Sequence, residues 1–259
     1  MAHEHRMQTR RFELKYRVSP SQAEAIRDYI RAYLTLDKYS RPDNDPSYRV
    51  CSLYLDSNSL ALYHQTCHGF KNRFKLRIRY YDSEPSNPVF LEVKRREGDV
   101  IRKQRCAITR EGALPLFKGV RPDKDHLFGP TNSMEDLAAL DNFYKLHCNV
   151  GAKATAYVSY MREAYVSPND DRLRITFDRR LTATRAIRRP SMTVHNGAAT
   201  SLSDVVLEIK FTDSFPNWTA RMVQTFNLQR QSVAKYVYCV EALRLDQEPD
   251  LTAGREFVA

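Results

Sequence analysis

No apolar run in this chain approaches the roughly 20 residues that cross a bilayer as a helix, so no direct membrane insertion is expected. There is no C-x-x-C pair. The five cysteines, Cys51, Cys67, Cys106, Cys148 and Cys239, are odd in number and widely spaced. That argues against a disulfide framework or a zinc site and predicts reduced, mostly buried thiols in a cytosolic protein. The first ten residues hold histidines and arginines but no apolar stretch, so no secretory signal is expected. Internal repeats, coiled-coil heptads, low-complexity blocks and a regular β-α-β rhythm are all lacking. What remains is a soluble, cytoplasmic, antiparallel α+β protein.

What is present is positive charge. Lys and Arg number 41 against 31 Asp and Glu, a formal net charge of +10. Such a balance points to a polyanionic partner: nucleic acid, anionic lipid or a phosphate compound. With 259 residues, 42% of them hydrophobic, the chain can bury a full core, and one large domain is expected, with tails at 1–9 and 246–259.

The charge is patterned. In Arg73-Phe74-Lys75-Leu76-Arg77-Ile78-Arg79-Tyr80 every second residue is cationic and the others are apolar or aromatic. The same alternation runs through 11–18, 90–94, 172–178 and 204–211. Successive side chains of a strand point to opposite faces, so each segment has one apolar and one ionic face. Further strands are predicted at 48–56, 100–108 and 154–165, the short 97–99 joining the strand over 89–96 to that over 100–108 as a hairpin. Ser19-Pro20-Ser21-Gln22 predicts a capping box and a helix with Ile26, Tyr29, Ile30, Tyr33 and Leu34 on one side. Helices are also expected over 58–66, 133–147 and 216–226.

About eight strands with such faces can be arranged in two ways. In an open sheet, helices cover the apolar side and water the ionic side. In a closed barrel the ionic faces crowd Arg17, Lys75, Arg77, Arg79, Lys94, Arg172, Arg174 and Lys210 into a lumen. That is tolerable only with acidic neighbours, water and a bound polyanion. Glu13, Glu92, Asp178, Asp204 and Glu208 share these faces. Glu13 stands two positions from Lys15, Glu92 from Lys94 and Glu208 from Lys210, spacing that suits ion pairing. Magnesium needs only one or two protein carboxylates beside phosphate oxygens; Glu208 is the metal candidate and Glu92 the pairing one. A nucleic-acid-binding sheet would place aromatics on the ionic face, but Tyr16, Phe74, Tyr80 and Phe177 fall on the apolar one, so no nucleic-acid partner is expected. His64 and His68 flank Cys67 at zinc-like spacing without a further ligand pair, and read as ordinary packing residues. The basic run 185–189 reads as a loop.

Eight stretches, in order, carry a resemblance: Phe12-Glu13-Leu14-Lys15-Tyr16, Leu53-Tyr54-Leu55-Asp56, Lys75-Leu76-Arg77-Ile78-Arg79-Tyr80, Phe90-Leu91-Glu92-Val93-Lys94, Tyr160-Met161-Arg162-Glu163-Ala164-Tyr165, Arg174-Ile175-Thr176-Phe177-Asp178, Leu207-Glu208-Ile209-Lys210-Phe211 and Ala234-Lys235-Tyr236. With them the chain resembles the polyphosphate polymerase domain of the vacuolar transporter chaperone family, in the triphosphate tunnel metalloenzyme superfamily. The resemblance implies a single catalytic domain over 10–245: an antiparallel eight-stranded tunnel β-barrel with helices packed outside and a basic lumen for a linear phosphate chain. It implies a metal-dependent phosphotransferase that moves the γ-phosphate of ATP onto polyphosphate. Lys15, Arg77, Arg79, Arg162 and Lys235 would be catalytic. Lys75, Lys94, Lys103, Arg174 and Lys210 would bind phosphate, and Glu208 would hold Mn2+ or Mg2+. The implied partners are ATP and polyphosphate, with any membrane partner protein unknown. The superfamily's hydrolases carry Glu-x-Glu-x-Lys, and here Arg11 replaces the first glutamate, which favours the polymerase branch. The alternatives are a triphosphatase or polyphosphatase on the same scaffold, or a non-catalytic module binding polyphosphate or inositol phosphate.

Overall fold

The computed structural model describes residues 11–40, 45–98, 100–128, 133–168, 172–186 and 189–247. The expected tails lie largely outside these, as do Ile187 and Arg188 of the basic run. In chain order the elements are β1 (Arg11–Val18), α1 (Pro20–Ile30), β2 (Thr35–Leu36), β3 (Tyr48–Asp56), α2 (Ala61–Cys67), β4 (Asn72–Tyr80), β5 (Val89–Glu97) and β6 (Val100–Ile108). Then follow α3 (Arg110–Ala113), α4 (Met134–Val150), β7 (Lys153–Val166), β8 (Leu173–Arg185), β9 (Ala198–Ala199), β10 (Val205–Thr212), α5 (Asn217–Thr225) and α6 (Lys235–Ala242). The class is α+β, built on one large sheet.

The strand path is β1-β10-β8-β7-β3-β4-β5-β6, with β2 added to β7 and β9 to β8. The registers described are antiparallel. Eight strands on one antiparallel path match the expected barrel strands, but among the described residues no ladder joins β6 to β1. These ladders give the expected antiparallel strands without the closure of a barrel. Beyond the bridge from Ile108 to Leu127, β6 is exposed from Val100 to Arg105 and carries Arg102, Lys103 and Arg105, and a charged edge resists further strand addition.

Two compact units divide the chain. The first comprises Met1–Tyr48, Met161–Arg180 and Ser203–Val233. Its core joins Tyr16 and Val18 of β1 to Ile175 and Phe177 of β8 and Leu207 and Ile209 of β10, covered by Ile26 and Ile30 of α1 and Met222 of α5. These are the apolar alternates of the sequence pattern. Ser19 caps α1 as expected, its hydroxyl accepting from Gln22 N with Pro20 at the first turn, a cap worth about 1 kcal/mol. The capping box itself is half made. Gln22 Nε2 donates to Phe226 O (2.8 Å), so the amide ties down the end of α5 instead of closing back on the cap.

The second unit comprises Arg49–Tyr160, Leu181–Leu202 and Ala234–Ala259. Leu53 and Leu55 of β3, Leu76 and Ile78 of β4, and Leu91 and Val93 of β5 pack with Leu140, Phe143 and Leu146 of α4. α4 starts on Ser133, which accepts from Asp136 N, and stops at Gly151 with φ 59°, a left-handed residue that suits glycine. β8 is longer than expected. It passes through Arg180 at φ 55° and continues over Leu181–Arg185, where Thr182 and Ala183 pair with Ala199 and Ala198. The adjacent Arg179 and Arg180 interrupt the alternation, which is why the sequence pattern ended at Asp178. Three cysteines are buried (Cys51, Cys106, Cys239), two are exposed, and all are free thiols. Among the described residues no helix is long and apolar enough to cross a membrane.

Candidate phosphate-binding faces

In the second unit, β4, β5 and β6 align the ionic alternates in rungs: Arg77–Glu92–Arg105, Lys75–Lys94–Lys103, and Arg73–Arg96. Glu92 is fully buried. Arg77 reaches its Oε2 through Nε (2.8 Å) and Nη2 (2.7 Å), and Arg79 Nε lies 3.5 Å from the same oxygen. Lys103 Nζ is 2.5 Å from Oε1. Burial alone would raise the Glu92 pKa, but Arg77, Arg79 and Lys103 hold it well below the carboxylate range. Burial pushes Arg77 down, and Tyr54 and Glu92 more than offset it, so this guanidinium is firmly charged. Lys103 is lowered to about 8, burial winning over the attraction of Glu92. Three cations thus converge on one carboxylate, with a further lysine rung beside them. Like charges directly opposite across strands repel, so this face is built for an anion.

Lys235 joins the same unit through aromatic scaffolding. It begins α6, and its Nζ lies 4.9 Å from the Tyr160 ring centroid. The next residue, Tyr236, donates its hydroxyl to Asp56 Oδ2 (2.9 Å) and stacks on Tyr54, centroids 4.6 Å apart. Tyr54 OH in turn accepts from Arg77 Nη1 (3.0 Å). Asp56 is fully buried and also accepts from the backbone N–H groups of Ser57, Leu62 and Tyr63. Its pKa is raised by burial against the pull of those hydrogen bonds. Tyr54, Asp56, Tyr160 and Tyr236 were quoted in the matching stretches but given no task by the sequence. Tyr16, Phe74, Tyr80 and Phe177 lie in or against the apolar cores as expected, while Tyr54 and Phe90 occupy the ionic face, Tyr54 bound to Arg77 and Phe90 under Arg105 (4.9 Å to the ring centroid).

In the first unit, β1, β10 and β7 gather Lys15, Lys210, Arg162 and Glu208. Glu208 is 4% exposed. Its Oε2 lies 2.7 Å from Lys210 Nζ and 3.5 Å from Arg162 Nη2, and its Oε1 lies 3.5 Å from Lys15 Nζ. Arg162 forks onto Asp178 at 2.6 and 2.7 Å, and Lys15 also meets Glu13 at 3.2 Å. Three cations here meet three carboxylates. Arg174, the other candidate of this unit, turns to Asp37 (2.6 Å) and Tyr48 OH (3.2 Å). Thr176, fully buried and opposite Glu208 in register, has an Oγ1 with no hydrogen-bond partner among the described residues. Among those residues no group of three or more His, Cys, Asp or Glu is close enough to hold a metal. The donor set fits a magnesium-type site of one or two carboxylates completed by phosphate oxygens, with Glu208 and Glu13 on the same lysine. The expected residues therefore fall into two sets: Lys75, Arg77, Arg79, Lys94, Lys103 and Lys235 in the second unit, and Lys15, Arg162, Arg174, Lys210 and Glu208 in the first.

A family model, the VTC domain, matches residues 10–244. The chain belongs to the VTC domain family. Membership makes it a phosphate-chemistry protein and agrees with the eight matching stretches, seven of which lie on strands and one at the start of α6. No curated protein matches the sequence. Similar solved structures include a candidate adenylate cyclase (bh2851) from Bacillus halodurans, 12% identical, covering 88% of this chain and 96% of that one, with a TM-score of 0.46. Another is the PH1819 protein from Pyrococcus horikoshii OT3, 12% identical, with 92% and 99% coverage and a TM-score of 0.43.

Proposed function

We propose that this VTC domain is a polyphosphate polymerase, transferring the γ-phosphate of ATP to the end of a growing chain of phosphates. The single observation that supports it most is the face with three cations on the buried Glu92, in a chain whose family handles phosphate. Phosphoryl transfer needs positioning and charge neutralisation more than covalent help from the protein. A chain-terminal phosphate is already ionised, so no histidine base is required. What must be overcome is repulsion between two anions. Arg79 would grip equatorial oxygens, Arg77, committed to Glu92 and Tyr54, would add fixed charge beside it, and Lys94, Lys103 and Lys235 would act as mobile point charges. The closed tunnel implied by the family belongs to the same proposal. Glu208, with Glu13, would hold Mn2+ or Mg2+. Such an ion supplies charge neutralisation at phosphate oxygens. Arg162, held by Asp178, would keep its guanidinium oriented beside that carboxylate.

Hydrolysis is the second reading, favoured by the gathering of Glu13, Asp178 and Glu208 on one face. Incubation of the purified protein with ATP and manganese separates the readings. Long phosphate chains are expected. Free phosphate as the sole product would mean a hydrolase, and binding without turnover would mean a receptor.

A further inference from the structure

On β3 and β4 two neighbouring rungs have the same architecture and different fates. Tyr54 stands opposite Arg77, and Ser52 stands opposite Arg79. The first rung is closed: Arg77 uses Nη1 on Tyr54 and Nε and Nη2 on Glu92. The second is open. Ser52 is 1% exposed, yet its Oγ has no hydrogen-bond partner among the described residues. Arg79 is 6% exposed, and its Nε, 3.5 Å from Glu92 Oε2, is near enough for an ion pair but makes no hydrogen bond among the described residues. Buried polar groups are satisfied in the great majority of cases, so two unsatisfied donors on one rung point to a ligand atom between strands. A water could accept from either group, but it brings no negative charge to a cluster that has one carboxylate for three cations. The Arg79 side chain is also drier than that of Arg77, 8% against 17% exposed, so an anion there is less screened.

We infer that Ser52 and Arg79 form an oxyanion subsite that takes the terminal phosphoryl group of a linear phosphate, an inference that rests on the phosphate-binding reading of this face. A terminal phosphoryl differs from an interior one by an additional non-bridging oxygen and by a second ionisation near neutral pH. Ser52 offers a hydrogen bond to that additional oxygen, and Arg79 offers charge to match the second ionisation. Ser52 thus acts as a specificity residue that distinguishes chain ends from chain interiors.

Two probes separate ends from interiors: linear tripolyphosphate and cyclic trimetaphosphate, which has no terminal phosphoryl. Titration calorimetry on the full chain should show tighter binding of the linear compound. Ser52→Ala should weaken the linear compound by about tenfold or more and leave the ring unchanged, as expected for loss of a hydrogen bond to a charged group. Ser52→Cys, similar in size and a weak donor, should behave like alanine, and Ser52→Thr should retain the wild-type preference. The unliganded melting temperature of Ser52→Ala should be equal or higher, because an unpartnered buried hydroxyl is lost. If the wild type binds linear phosphate and Ser52→Ala binds it as tightly, or loses both probes equally, the subsite is overturned and the phosphate reading stands. If the wild type binds neither probe, the phosphate reading itself fails and the subsite with it.

Discussion

The two ionic faces use the same residue types and reach opposite balances. Around Glu208, Lys15, Lys210 and Arg162 meet Glu13, Asp178 and Glu208, three cations with three carboxylates. Around Glu92, Arg77, Arg79 and Lys103 meet a single carboxylate. A balanced cluster is self-sufficient and can exchange one cation for a metal ion. A cluster with surplus positive charge needs an anion to complete it. The net charge of +10 hides this division, because it counts charges without their neighbours. On the proposed reading, phosphate affinity would belong to the Glu92 face and metal response to the Glu208 face.

The largest effect is expected from Arg77→Ala. It removes the partner that meets a fully buried carboxylate through two nitrogens, and breaking such a pair costs about 3–5 kcal/mol. Turnover should fall by orders of magnitude, in part through lost folding. Adding Glu92→Gln separates the causes. The double variant should recover most of the stability in a urea melt while phosphate binding stays lost. A double variant that regains wild-type phosphate affinity would remove Arg77 from the binding face. Next in size is Glu208→Gln, which tips the balanced cluster toward positive charge. Manganese-dependent turnover should drop about tenfold to a hundredfold, while metal-free affinity for tripolyphosphate stays equal or rises. An unchanged manganese titration would clear Glu208 of a metal role.

Asp56→Asn probes the support behind the Glu92 face. Asp56 accepts from Ser57, Leu62 and Tyr63 backbone N–H groups and from the Tyr236 hydroxyl. An amide keeps one acceptor oxygen and turns donors toward donors, at a cost of about 1.5–3 kcal/mol. Since Tyr236 anchors the first turn of α6, the variant should also slow turnover by misplacing Lys235, with manganese dependence unaltered. Normal turnover together with lowered stability would make Asp56 a folding residue alone.

Much of this was legible from alternation. The apolar faces of β1, β4, β5, β8 and β10, the Ser19 cap and the ionic registers follow from residue period and turn chemistry. The pairing partners did not. Glu92 pairs across strands as expected, but the two-residue spacing to Lys94 does not point to its partners Arg77, Arg79 and Lys103. Side chains two apart on a strand are separated by about 7 Å, while those opposite on a neighbouring strand are about 5 Å apart, so cross-strand partners win when the carboxylate is short of reach. Glu13 with Lys15 and Glu208 with Lys210 are pairs where a long lysine spans the distance. The Asp56–Tyr236 contact joins residues 180 positions apart, and no local pattern announces such a contact. Ladder closure was equally invisible, because alternation specifies faces and says nothing about which strand ends without a neighbour.

The smallest effect sharpens the comparison through pH. Lys103 holds its proton with a pKa of about 8, below the ordinary lysine value, because burial disfavours the charged form more than Glu92 restores it. Below that pH the Glu92 cluster carries three cations, and as pH rises through it the lysine becomes neutral and the cluster keeps two. Affinity for tripolyphosphate should therefore fall between about pH 7 and 9, by less than tenfold because Lys103 is partly exposed and screened. Bound phosphate favours the protonated lysine, so the midpoint should move upward as ligand concentration rises. Lys103→Arg keeps its charge across this range and should flatten the profile. Manganese binding, tested through Glu208, should not follow the Lys103 titration. A profile unaffected by Lys103→Arg would transfer the titration to the phosphate itself and leave Lys103 as a passive partner of Glu92.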